Sequence, residues 1–381
     1  MELVSIIHAG SYQGDLAAQI DKLIEPLGGF AAFFKKGERV FVKPNLIMAL
    51  PVEKAATTHP AIILAVVALL KDLGCQVAVG DSPGLGSAAA AARRLNLLEP
   101  LRYYGVPVIE FETETAELRR TPAGMGRCFK DLHLAAELND FEHIINLPKL
   151  KSHGQMGLTL ATKNLFGCVV GPAKAQWHYA TGRDTRLFAR LLLEVALSVN
   201  ATLHIVDGII GMDGNGPSHG RPRPLNMLVA GTNPVAVDRV IVELLHQKPE
   251  LIPVMKAAAE MRLAGAALSD IKIAGQTVSC LQTDPFEIPA LSHLEFLWGN
   301  PCGRVLKKLM NQQLRIDRER CVNCRKCERQ CPAGAIRFSN RIKIREADCI
   351  KCCCCQEICP VGAISVAGSP LLRILKKWKI L

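Results

Sequence analysis

Ten of the fifteen cysteines in this 381-residue chain fall between positions 321 and 359. They form two runs of one grammar. The first is Cys321-x2-Cys324-x2-Cys327-x3-Cys331-Pro332, and the second is Cys349-x2-Cys352-x2-Cys355-x3-Cys359-Pro360. Three thiolates at this spacing reach three iron corners of one cubane, and in paired-cluster domains the cysteine before the proline crosses to the other cluster. The expected ligand sets are therefore Cys321, Cys324, Cys327 and Cys359 for one [4Fe-4S] cluster, and Cys349, Cys352, Cys355 and Cys331 for a second. A zinc ribbon would not need four cysteines per run. Cys353 and Cys354 fill a spacer between ligands and are read as spare thiols, with ligand exchange or a redox-active pair as the alternatives. Cys168 and Cys302 stand alone.

A shift of 28 residues superposes the runs, placing Cys321 on Cys349, Cys331 on Cys359 and Ile336 on Ile364. The strings RCVNCRKCERQCPAGAIRF and DCIKCCCCQEICPVGAISV align throughout, and residues 315–368 resemble the bacterial 2[4Fe-4S] ferredoxin module. Each half is one ligand short without the other. A chain with such centres handles single electrons.

A second polar concentration lies at 146–178, in NLPKLKSHGQMGLTLATKNLFGCVVGPAKAQWH. It offers Lys149, Lys151, His153, Lys163, Asn164, Lys174 and His178. Lys149, Lys151 and His153 alternate at period two, so an extended segment turns them to one side. Ammonium groups beside a histidine suit an anionic ligand and proton delivery. Lys149, Lys151, His153 and Lys163 are expected to converge on one pocket, with Asp213 on a mobile loop over it. The alternative is a solvated basic loop with a structural histidine. Five glycines within Gly208–Gly220 favour close backbone approach, and Asp207, Asp213 and His219 among them are candidates for a metal or a substrate hydroxyl, or for a plain surface loop.

The elements that must hold these groups read as strands at Leu3–Ile7, Val40–Val42, Gln76–Val79, His143–Asn146, His204–Val206 and Met227–Val229. Helices are expected at Pro60–Leu73, Leu187–Val199 and Val235–Leu245. Alternation of strand and helix predicts an α/β domain over 1–290 with a largely parallel sheet, then a connector over 291–314, a small α+β two-cluster module over 315–368 and a basic amphipathic tail over 369–381. Polar residues gather just after strand ends, where ligands sit in open α/β sheets: Lys43-Pro44-Asn45, Asp81-Ser82-Pro83-Gly84, Lys149–His153 and Asp207-Gly208. No dinucleotide fingerprint or phosphate loop is present.

Charge is segregated. Residues 302–381 hold 18 Lys/Arg against 6 Asp/Glu, whereas 1–301 hold 28 against 29. A basic module fits an acidic electron-transfer protein, ferredoxin or flavodoxin, an anionic membrane face, nucleic acid or its own larger domain. With no nucleic-acid motif and few aromatics, nucleic acid ranks last. Arg304–Leu314 reads as a short basic helix. The tail PLLRILKKWKIL reads as a helix that packs on the protein, lies on a membrane or docks a partner. No run of 18 apolar residues spans a membrane. The N-terminal MELVSIIHAG reads as a first strand, not a signal peptide. Clustered cysteines fit a reducing compartment, so the cytoplasm is expected.

The pieces FVKPNL, THPAIILAVVALLKDLG, VGDSPG, NLPKLKSHG, ATKNLFG, DGIIGMDGNGP and GTNPVAVD resemble domain-of-unknown-function family 362 over about residues 38–245. That family often carries a C-terminal ferredoxin module. The resemblance implies site positions at Lys43, Asn45, Asp81, Lys149, Lys151, His153, Lys163, Asn164, Asp213 and Asp238, and leaves the reaction open. The module departs from common bacterial ferredoxins in its positive charge and in Cys353 and Cys354. Three functions fit. The clusters relay electrons to or from an anionic ligand in the large domain, as in a ferredoxin-linked oxidoreductase. The chain is a non-enzymatic carrier or maturation factor whose large domain binds a protein. Or the clusters serve as a redox sensor.

Overall fold

The computed structural model describes residues 1–171, 173–276, 285–289 and 313–367. Cys302 and the tail lie outside the described residues. So does the expected basic helix, except its last two residues, which belong to a strand, Gln313–Ile316. In chain order the strands are β1 (Glu2–His8), β2 (Arg39–Pro44), β3 (Gln76–Gly80), β4 (Val108–Ile109), β5 (Glu114–Thr115), β6 (Leu134–Ala135), β7 (His143–Leu147), β8 (Lys149–His153), β9 (Gly157–Thr159), β10 (Leu203–Asp213), β11 (Arg221–Gly231) and β12 (Ile271–Gly275). Ten build one sheet in the order β12-β1-β11-β10-β7-β2-β3-β4, with β8 on β10 and β9 on β8; β5 and β6 form a separate ribbon.

From β10 to β4 the pairing is parallel, and β11 runs antiparallel between β10 and β1. Both faces are covered, so the central strands bury alternate side chains on opposite sides. Val40 and Val42 join a layer with Ile62 and Val66, while Phe41 joins the opposite layer with Phe188 and Val240. All six expected strands and three expected helices are present, the helices as Pro60–Asp72, Thr185–Val199 and Pro234–Leu244. Asp184 and Asn233 accept backbone N–H bonds at the starts of the last two, satisfying donors a helix leaves open.

The first part of the glycine-rich stretch is strand, and only residues 214–220 turn between β10 and β11. Gly208 and Gly211 lie within the eleven-residue strand β10. A Cβ at Gly211 would stand 2.6 Å from the Leu225 side chain, and one at Gly208 2.9 Å from Met227. Here glycine lets neighbouring side chains cross the strand.

The module is built from β13 (Gln313–Ile316), β14 (Ile336–Phe338), β15 (Ile342–Ile344) and β16 (Ile364–Ala367). β13 pairs with β16, and β14 with β15. Short helices Lys326–Arg329 and Cys354–Glu357 stand 28 residues apart, each preceded by a left-handed residue, Arg325 or Cys353. The halves of the repeat are thus alike in backbone as well as in sequence.

Candidate functional site: two cysteine cavities and a cationic pocket at the domain seam

Each half of the module encloses a cavity of about 20 Å³. One is lined by Cys321, Cys324, Cys327 and Cys359. The other is lined by Cys331, Cys349, Cys352 and Cys355, with Cys353 at its edge. Equivalent backbone amides serve each crossing cysteine: Ala335 N–H donates to Cys331 Sγ at 3.3 Å and Ala363 N–H to Cys359 Sγ at 3.2 Å. Such bonds favour thiolate and tune a cluster's potential. Among the described residues no three Cys, His, Asp or Glu side chains converge tightly enough for a single metal ion.

The cavities differ in setting. Cys324 is exposed and Cys321 and Cys327 are partly so, whereas Cys349, Cys352 and Cys355 are buried. The buried half faces the large domain. There Arg183 Nε donates to Cys349 O, Gln356 Nε2 to Gly216 O, Ser218 Oγ to Glu357 O, and His219 Nε2 to Cys359 O. Cys353 and Cys354 occupy the slot that Arg325 and Lys326 fill in the outer half. Cys353 Sγ stands 3.1 Å from where a Gly154 Cβ would be, so Cys353 acts there as a small apolar filler.

At this seam lies a pocket of about 400 Å³. Asn45 and the Asp81–Gly86 loop contribute from the carboxyl ends of β2 and β3. Lys151 and His153 come from β8, and Lys163 and Asn164 from the short helix Ala161–Asn164. Cys354, Glu357 and Ile358 close it from the module. Lys151 Nζ donates to Asn45 Oδ1 at 3.0 Å and Ala56 O at 2.5 Å. Burial pushes its pKa down to about 7. Lys174 Nζ donates to Ser82 O and Oγ and is lowered to about 8, again by burial. Lys163, lowered by burial, has no hydrogen bond or ion pair of its ammonium among the described residues. His178 lines the pocket with a buried Nδ1 that has no partner.

His153 does not fit the expected part of direct proton donor. Its Nδ1 accepts from the amides of Gln155 and Met156, which puts the proton on Nε2, and Nε2 donates to Glu357 Oε1 at 2.5 Å. Both ring nitrogens are engaged. Burial lowers His153 to about 4, so the ring is neutral. Burial opposes charge on Glu357, but His153 and Lys163 hold it ionised, at about 2. The pair is a clasp between the domains.

Other expected site residues lie elsewhere or behind the wall. Lys149 is outside the pocket: Nζ meets Asp207 Oδ2 at 2.7 Å and Tyr12 OH at 2.8 Å. It shares a side of β8 with His153, but four residues at about 3.3 Å rise separate them by roughly 13 Å. Asp213 ends β10 fully buried, bound by Arg221 and Arg223, and is no lid residue. Asp238 accepts from the amides of Ala161 and Thr162, so it positions the turn carrying Lys163 and touches no ligand space. Lys43 stands behind the wall, paired at 2.7 Å with Asp81. Asp81 also accepts from Leu46 and Ser82 amides. A Cβ on Gly167 would lie 2.6 Å from Lys43 Nζ, so glycine is required over this pair. Asn45, Asp81, Lys151, His153, Lys163, Asn164 and His178 all line the pocket. Sequence reasoning missed Glu357, because it sits 204 positions from His153 among cysteines that drew attention to themselves.

Residues 40–243 match the family described as domain of unknown function DUF362. The chain belongs to the DUF362 family. In this DUF362 protein, residues 314–337 match a 4Fe-4S binding domain, which contains the first cysteine run. It is 39% identical over 261 residues to the thylakoid-associated protein sll1697 of Synechocystis, covering 68% of this chain and 79% of that one. The lactate racemase apoprotein of Thermoanaerobacterium thermosaccharolyticum aligns with a TM-score of 0.40 at 11% identity, over 64% of this chain and 57% of that one. At that level of likeness it carries no argument. No helix of the described residues is long and apolar enough to cross a membrane.

Proposed function

We propose that this iron–sulfur protein relays electrons through two [4Fe-4S] clusters, held by the crossed cysteine sets, to or from a small anionic ligand in the seam pocket. The observation that carries the reading is Lys163: a half-buried ammonium that lines the pocket with no hydrogen bond or ion pair among the described residues, beside Lys151 and Lys174. A cation that faces a partly desolvated pocket with no counter-ion in contact favours an anion there. Asp81 is offset by Lys43, whereas Glu357 stays ionised beside a neutral His153, so the three lysines less this one carboxylate leave the pocket with a charge of at most two. A dianion, as in a dicarboxylate or a phosphate ester, matches it.

When bound, the clusters supply single electrons and no protons. The protein must supply the proton. Lys151, with its pKa near 7, holds one at Nζ within the pocket, close to the optimum for acid–base work at neutral pH. Lys163 and Lys174 hold the anion, and Phe166 and Ile358 limit water.

The test uses anaerobically reconstituted full-length protein. Reduced protein is mixed with a panel of di- and tricarboxylates and phosphate esters, and reoxidation is followed optically. Binding to oxidised protein is measured by calorimetry. One class should bind and reoxidise the clusters, and Lys163→Met should weaken its binding at least tenfold with iron content unchanged. Binding that survives Lys163→Met defeats the pocket assignment. Reoxidation by protein partners alone, with no anion bound, returns the chain to the carrier reading.

A further inference from the structure

The two halves of the module share a backbone but not a surface. Residues 313–343 hold nine Arg/Lys against three Asp/Glu, and residues 344–367 hold two against three. The charged half is also the one turned outward. Its spacer pair is Arg325 and Lys326, where the inner half has Cys353, packed against Gly154 of the large domain, and Cys354, which lines the pocket. Beside Cys321, Val322 is a 62% exposed apolar side chain in a segment that also carries Arg320, Arg325, Lys326 and Arg329. Cys324, next to it, is exposed.

We infer that this outer face, centred on Val322 and bounded by Arg320, Arg325, Lys326 and Arg329, docks an acidic protein that carries a one-electron centre. The partner's centre gives up one electron per encounter, the centre held by Cys321, Cys324, Cys327 and Cys359 gains it, and no bond or proton moves with it. The inner set, buried at the seam beside Cys354 and Gln330 of the pocket wall, is then the second station. The module has an entrance and an exit. Three features select this occupant. The positive excess lies on one half alone, which complements an acidic protein and steers its approach. The apolar centre with a charged rim has the anatomy of a transient protein contact. And Cys324, the one exposed cysteine of the two sets, is on this face. The inference rests on the two-cluster reading but not on the identity of the pocket's anion.

The probe is flavodoxin hydroquinone, an acidic one-electron donor, mixed anaerobically with the full-length reconstituted protein in stopped flow. Binding of oxidised flavodoxin is followed in parallel by calorimetry. Arg325→Glu with Lys326→Glu should lower the second-order reduction rate and the affinity at least tenfold at low salt, and should flatten the salt dependence. Because that pair sits between ligands, Arg337→Glu with Lys343→Glu, on the neighbouring hairpin, is a second variant expected to act in the same direction. Arg93→Glu with Arg94→Glu, on the large domain, should leave rate and affinity unchanged. Dithionite reduction and the EPR spectra must match wild type in each variant. Unchanged rates in both module variants, or equal losses in the large-domain variant, overturn the inference. So does preferential binding of phosphatidylglycerol vesicles or self-association lost in the same variants. Lys163→Met should not alter the flavodoxin rate, so failure of the pocket reading is separable from failure of this one.

Discussion

Lys151 is the pocket group whose charge changes closest to neutrality. Burial disfavours its ammonium, Lys163 and Lys149 add repulsion, and Glu357 and Asp81 offset part of it, leaving a pKa of about 7. Below that value the lysine is charged and attracts an anion; above it the attraction is lost. Affinity for the pocket's dianion should therefore fall roughly tenfold between pH 6 and pH 8, the loss of protonated fraction expected for one such group. Calorimetry across that range checks it, and Lys151→Met should flatten the curve. A slope that persists in Lys151→Met assigns the titration to another group. Among the cysteines, the crossing is the testable point. Cys331 lines the cavity of Cys349, Cys352 and Cys355, although it belongs to the first run. Cys331→Ser should cost the second-run cluster, about four irons, and spare the other. Iron assay with EPR reads this, and loss of the first-run signal alone would reverse the ligand sets.

At the scale of elements, the turn Cys352–Glu357 shows how one backbone serves two ends. In the outer half the slot holds Arg325, exposed and over the Phe338 ring. In the inner half it holds Cys353, 2% exposed against Gly154. Replacing Cys353 and Cys354 together by Ala should leave iron content and cluster spectra nearly unchanged, since neither is needed to complete a four-cysteine set. Cys353→Arg is a sharper case. The side chain suits the turn, as Arg325 demonstrates, so clusters should still assemble. It cannot fit against Gly154 and Gln356, so the seam should part. Increased protease cutting between the domains, with loss of anion binding and retained iron, is the expected result. A tight seam with the arginine in place would mean that the packing at Gly154 is not what joins the domains.

For the whole molecule, the pocket exists because two domains meet. Glu357, Ile358 and Cys354 close it, and they belong to a module with little apolar core beyond a few isoleucines and the cysteines themselves. Folding of such a module is coupled to its metal. Chelating the iron should then weaken anion binding at least tenfold, while the large domain keeps its far-UV circular dichroism and its melting transition. Retained affinity in iron-free protein would place the binding groups wholly on the large domain. Charge is also a whole-molecule matter. Seven cations of the C-terminal surplus lie in 302–312 and 368–381, outside the described residues, and the rest is concentrated on the outer half of the module.

What the sequence determined by itself was whatever depends on short-range spacing. Cysteine intervals prescribe which thiolates can reach one cluster, and the 28-residue repeat prescribes a two-fold module, because a turn's geometry is set by the few residues within it. Short continuous apolar runs marked the central strands for the same reason, since burial on both faces leaves an unbroken apolar stretch that a short window reveals. Tertiary structure decided the rest. Lys149 and His153 share a side of one strand, yet a parallel neighbour places Asp207 against the first and a distant domain places Glu357 against the second. Gly208 and Gly211, which read as part of a loop, lie in a buried strand where the Met227 and Leu225 side chains take up the space a Cβ would need. Asp213 and Asp238, plausible ligand residues by type, were taken up by arginines and helix amides. The partners of Lys149, Asp238 and His153 stand 58, 77 and 204 positions away, distances at which local pattern carries no information about contact.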